Sequence, residues 1–91
     1  MLKIAALASS YGVVLIPHGH SLPANANLSF AQPPPLVPRI EYLIKWNLIH
    51  QFFLAHPVHP VDGYITLPGE PGLGMDLDEA KIESRRELSF D

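Results

Sequence analysis

The chain contains no cysteine. Disulfide bridges and thiolate zinc sites are therefore excluded within it, and the absence is compatible with a reducing cytosol. Positive charge is also scarce. Six Lys and Arg against nine Asp and Glu leave a formal net charge of −3. The basic residues form no cluster, so a charge-driven nucleic-acid surface is disfavoured. No apolar stretch approaches the ~20 residues of a membrane-spanning helix, so no membrane partner is expected. The N-terminal stretch MLKIAALASSYGVVLIPHGH carries one early lysine, and Ala8, Ser9 and Ser10 imitate a cleavage region. Its amphipathic and then strand-like pattern argues against a cleaved leader. A cytoplasmic location is expected.

The chain has 91 residues, 47% of them hydrophobic. That is room for one small domain with a thin margin of stability, and too apolar for wholesale disorder. Ten prolines and six glycines stand between apolar segments, as in QPPPLVP, HPVHPVDG and LPGEPGLG. Their placement indicates several sharp redirections rather than a linker.

The Ala- and Leu-rich LKIAALASSYG predicts a helix ended by Gly12. VVLI follows, four apolar residues of which three are β-branched, bounded by Gly12 and Pro17. This pattern predicts a strand covered on both faces. SLPANANLSFAQ predicts a helix with Ser21 as N-cap and Pro23 in the first turn. PPPLVP is a connector. RIEYLIKW alternates, with Ile40, Tyr42 and Ile44 on one face and Glu41, Leu43 and Lys45 on the other, and predicts a second strand. NLIHQFFLA is either a short helix started by Asn47 or an apolar loop. VDGYITLPGEPGLGMDLD predicts extended segments joined by turns, its glycines suiting positive φ. DEAKIESRREL predicts a surface helix capped by Asp78. Helix, strand, helix, strand and extended tail make the end of a larger α/β domain, since two strands do not make a stable sheet.

The chemistry-bearing residues are His18 and His20. In extended backbone, residues two apart point to one side. The pair could chelate a metal, sit in water as loop residues, or act in acid–base chemistry near neutral pH. Parallel α/β folds gather their sites at the C-terminal ends of strands, where His18 falls. Glu41 is either an exposed strand residue or a functional carboxylate. His50, His56 and His59 read as loop residues, and Trp46 as a packing residue or loop anchor. GEPGLG lacks the Lys-Ser/Thr of a phosphate-binding loop.

KIAALASSYGVVLIPHGHS, RIEYLIKWN and PVDGYITLPGEPGLGMDLDEAKI, in that order, resemble the C-terminal part of enolase-superfamily enzymes. The resemblance is to the mandelate racemase subgroup and its acid-sugar, rhamnonate-type dehydratases. It implies the last two βα units of a modified TIM-type (β/α) barrel, residues 1–60. Residues 61–91 would then be an extended tail returning to a capping domain. It implies His18 as general base, general acid or both, and Glu41 as a protonated group facing the substrate carboxylate, its pKa raised by burial. His20 would contact the sugar acid.

The implied reaction is proton abstraction α to a carboxylate, then loss of the β-hydroxyl to give a 2-keto-3-deoxy acid. The implied cofactor is Mg²⁺, whose carboxylate ligands would lie on strands absent from this chain, so no metal ligand is assigned here. The resemblance also implies a homo-oligomer for the full-length enzyme and an inactive fragment in isolation. Racemisation or epimerisation of the same superfamily, a non-catalytic association module, and a His-rich metal module built on His18, His20, His56 and His59 are the alternatives.

Overall fold

The computed structural model describes residues 1–90. The element order is α1 (Leu2–Ser10), α2 (Leu22–Phe30), α3 (Trp46–His50) and a 3₁₀ turn at Glu79–Lys81. α1 forms where alanine and leucine dominate. It stops at Gly12, whose φ of +63° is the left-handed conformation that glycine adopts without a Cβ penalty. α2 begins with Leu22 and carries Pro23 in its first turn, where a missing N–H costs nothing. Ser21 precedes it as expected, but its side chain makes no capping bond. Its backbone sits in the left-handed region, at φ 52° and ψ 54°, rather than in the extended region a hydroxyl cap requires.

Neither expected strand forms; no strand is present among the described residues. The segment from Val13 to Pro17 does lie beside the segment from Leu36 to Glu41. The Leu15 N–H donates to the Leu36 carbonyl at 2.8 Å, and the Glu41 N–H to the Pro17 carbonyl at 3.1 Å. Two bonds, five residues apart on one side and two on the other, do not make a ladder. The expectation of a strand buried on both faces also fails, since Val13, Val14 and Ile16 are 57%, 53% and 50% exposed. A parallel strand is stabilised by neighbours on both edges and helices on both faces. This chain supplies one neighbouring segment and little cover.

The expected helix over DEAKIESRREL shrinks to one 3₁₀ turn. Asp78 does cap it, accepting from the Ala80 N–H at 3.2 Å. Beyond Lys81 the chain straightens, and Arg85 reaches back to Glu79 with bonds of 3.0 and 2.8 Å. Residues six apart do not share a helix face, so this pair favours the extended path. The ambiguous NLIHQFFLA resolves as a short helix, α3, followed by turns. Residues 53–55 then take the tail as an antiparallel neighbour. The Ala55 N–H donates to the Asp76 carbonyl and the Asp78 N–H to the Phe53 carbonyl, both at 2.8 Å.

The buried apolar residues are few and mostly small: Ala5, Leu22, Ala26, Val37, Leu54 and Val58. The accessible surface is 7095 Å², where a compact monomer of this mass exposes about 5,300 Å². The Cα radius of gyration is 15.4 Å, against about 12 Å for a compact chain of this length. The chain is thus open, with α1, the Val13–Ile16 segment and the Phe52–Phe53 turn presenting apolar side chains to solvent.

Candidate active site

Pro17 ends the apolar segment, and the next three residues, His18-Gly19-His20, turn the chain into α2. The Pro17 carbonyl accepts from the Glu41 N–H, so His18 and Glu41 come to the same edge. His18 Nδ1 lies against Glu41 Oε2, and the same oxygen accepts from the Gly19 N–H at 3.1 Å. An imidazole and a backbone amide therefore converge on one carboxylate oxygen. Gly19 is buried, and a Cβ there would meet the Glu41 carbonyl oxygen at 2.6 Å and the Leu43 Cγ at 3.0 Å. Close approach, not an unusual φ, is what requires glycine at this position.

These contacts overturn the expected protonation of Glu41. Its pKa is lowered from the usual carboxylate value, chiefly by the Gly19 N–H, against a partial opposing effect of desolvation. The positive charge and hydrogen bond of His18 add to the lowering. Burial was expected to raise it, but the Glu41 side chain is 46% exposed and the His18 ring 68% exposed, so hydration is retained. Glu41 is a carboxylate here.

The linkage has a definite sign. Glu41 titrates lower in the folded chain than its ordinary value of 4.5. Its contribution to stability is therefore present above that value and is lost as the pH falls through the lower folded value. The urea midpoint of the wild type should exceed that of Glu41→Gln at pH 6. The gap should narrow as the pH falls below 4.5 and close only below the lower folded value. A gap independent of pH would contradict the ionised pair.

His20 does not join His18 and Glu41 in any direct contact. Its ring lies 4.3 Å from that of His50, and His50 lies 6.2 Å from Trp46, nearly parallel to it. His50 was expected in a loop; it is the last residue of α3. The spacing of Trp46 and His50, four apart on one helix face, carried that signal. His59 Nδ1 sits 3.2 Å from the Tyr42 hydroxyl.

Among the described residues, no three His, Asp or Glu side chains come together as a metal-binding group. The His-rich metal module is not built. The residues present do not fit a Mg²⁺ site of their own either. PGLG is a turn with Gly72 and Gly74 at φ +70° and +64°, as expected. It docks on α2, where Asn27 Nδ2 donates to the Leu73 carbonyl at 3.2 Å. No described helix is long and apolar enough to cross a membrane.

The chain is 35% identical over 94 residues to a D-galactarolactone cycloisomerase from Agrobacterium fabrum, covering 92% of this chain and 25% of that protein. It is 30% identical over 97 residues to an L-rhamnonate dehydratase from Saccharopolyspora erythraea, covering 100% and 24%. It is 34% identical over 84 residues to a D-galactonate dehydratase family member from Streptomyces bingchenggensis, covering 86% and 20%. The chain thus spans a quarter or less of the length of these curated relatives. No solved structure matches it. The family model described as Enolase C-terminal domain-like matches residues 1–81, and the chain belongs to that family.

Proposed function

We propose that this chain supplies the His18–Glu41 corner of an acid-sugar dehydratase active site, completed by further barrel strands that carry the metal ligands. The observation that carries the reading is the convergence of His18 Nδ1 and the Gly19 N–H on one Glu41 oxygen. With Nδ1–H donating to the carboxylate, Nε2 is the nitrogen left for proton transfer. Nε2 would take the proton α to the substrate carboxylate. The resulting imidazolium, stabilised by Glu41, would return a proton to the departing β-hydroxyl as water leaves. The product is an enol that becomes a 2-keto-3-deoxy acid. Glu41 in this reading acts on His18 rather than on the substrate. The family's Mg²⁺ would stabilise the enediolate, held by residues outside this chain.

The open surface supports completion by other elements. The exposed area of 7095 Å² exceeds that of a compact monomer by about 1,800 Å², roughly twice what one partner loses in a standard protein interface. Residues 1–60 would form the barrel portion and residues 61–91 a tail toward a capping domain.

The test is to sequence the genome upstream of the Met1 codon, express the continuous frame, and assay both products. L-rhamnonate and D-galactonate would be the substrates, with 2-keto-3-deoxy acid as readout. The long product should turn over one of them and the 91-residue chain neither. Turnover by the 91 residues alone would overturn the need for further strands. A stop codon directly upstream would overturn the enzymatic reading and leave a non-catalytic association module.

A further inference from the structure

α2 carries an asparagine whose side chain points back at the loop before it. Asn25 Nδ2 lies 2.6 Å from the His18 carbonyl and 2.6 Å from the His20 carbonyl. A carboxamide nitrogen has two hydrogens, so both donors are committed, one to each side of Gly19. The main chain of Asn25 is itself fixed in the helix. Its N–H donates to the Ser21 carbonyl at 3.1 Å, and its carbonyl accepts from the Ser29 hydroxyl at 2.7 Å. Asparagine is a poor helix former, so a role beyond helix formation is expected of it.

The consequence follows from peptide planarity. The His18 carbonyl and the Gly19 N–H belong to one trans peptide group, and in such a group they point in opposite directions. Whatever holds the carbonyl on one side aims the N–H at the other. Asn25 holds the carbonyl; Glu41 receives the N–H at 3.1 Å. We propose that Asn25 is the positioning residue of this site: by clamping the His18 and His20 carbonyls to α2, it aims the Gly19 N–H and the His18 ring at Glu41. Asn25 touches neither Glu41 nor any reacting atom in this scheme. It acts through the orientation of one peptide plane. The lowered Glu41 pKa, whose leading cause is that N–H, agrees with the arrangement.

This inference deepens the reading of His18 and Glu41 as a reactive pair, and its test needs no turnover. Asn25→Leu keeps the side-chain size and removes both donors without adding charge; Asn25→Ala removes the side chain. In NMR spectra of the 91-residue chain, both should shift the Gly19 amide proton upfield and raise the Glu41 carboxyl titration toward 4.5, its ordinary value. His18 is the titratable group paired with Glu41, so its ring signals are followed in the same titration. The Gly19 and Glu41 signals should stay at their wild-type positions in Asn27→Ala, which removes side-chain bonds of α2 to Pro23 and Leu73 without touching Asn25. A folded Asn25→Leu with unmoved Gly19 and Glu41 signals would overturn the proposal. Should both variants unfold, the wild type decides. Scalar couplings from Asn25 Nδ2 to the carbonyl carbons of His18 and His20 are expected, and their absence overturns it. The dehydratase reading survives any of these outcomes.

Discussion

Replacing His18 with alanine is expected to lower kcat of the continuous-frame product by about 10²–10⁴-fold, the usual worth of a positioned proton-transfer group. KM should move much less, because a group that works in the transition state contributes little to ground-state binding. Glu41→Gln should cost less than His18→Ala. Glutamine keeps an oxygen to receive Nδ1–H and loses only the charge that stabilises the imidazolium. The double variant should be no slower than His18→Ala alone, since Glu41 acts through the ring that is already gone. Each rate is read as 2-keto-3-deoxy acid formed per unit time. A His18→Ala enzyme with wild-type kcat removes His18 from the reaction.

The second large effect concerns stability and lies away from the site. Gln51 is 2% exposed. Its Nε2 donates to the Val58 carbonyl at 3.0 Å, and its Oε1 accepts from the Val58 N–H at 2.7 Å. One side chain thus satisfies both polar groups of a buried residue, as a neighbouring strand would. Gln51→Ala leaves the Val58 N–H and C=O without partners away from water. Each such group costs about 1–3 kcal/mol, so a loss on the order of 2–5 kcal/mol is expected. In so small a domain that is a large part of the whole margin. The measurement is the urea midpoint by circular dichroism. A midpoint within experimental error of the wild type would mean that Val58 finds water once the amide is gone. Asn47 is equally buried, yet neither of its amide atoms has a partner. A carboxamide's contribution is set by what faces it, not by its burial.

The two longer helices were legible because their signals are local: an Ala/Leu run before Gly12, and Pro23 at the start of α2. His18 and Glu41 each stood out as a candidate, but their meeting was not legible: Glu41 lies near the start of its segment, and nothing in the pattern of either segment sets the register between them. The strands were not legible either, because a strand is completed by what lies beside it. Val13–Ile16 has the composition of a covered strand and lacks the cover. The protonation of Glu41 was misjudged for a related reason. Its leading determinant is an N–H belonging to residue 19, and nothing at positions 40–44 reveals it. Asn25 escaped notice because a helix pattern shows which residues face the core, not which side chain bends back to a preceding carbonyl. The C-terminal segment has a helix's composition but forms one 3₁₀ turn, since Arg85 satisfies Glu79 without a helical path between them.

The tight passage of the Glu41 backbone over Gly19 also bears on how this site can evolve. Every other amino acid carries a Cβ, so no missense change in the Gly19 codon escapes the collision with residues 41 and 43. His18 is under no such constraint; its ring faces solvent, and many side chains would fit there. A descendant that lost the chemistry but kept the fold would therefore drift at His18 while Gly19 stayed fixed. Among relatives of this chain, an invariant glycine at this position reports the approach of two backbones. The histidine beside it reports whether the reaction is still under selection.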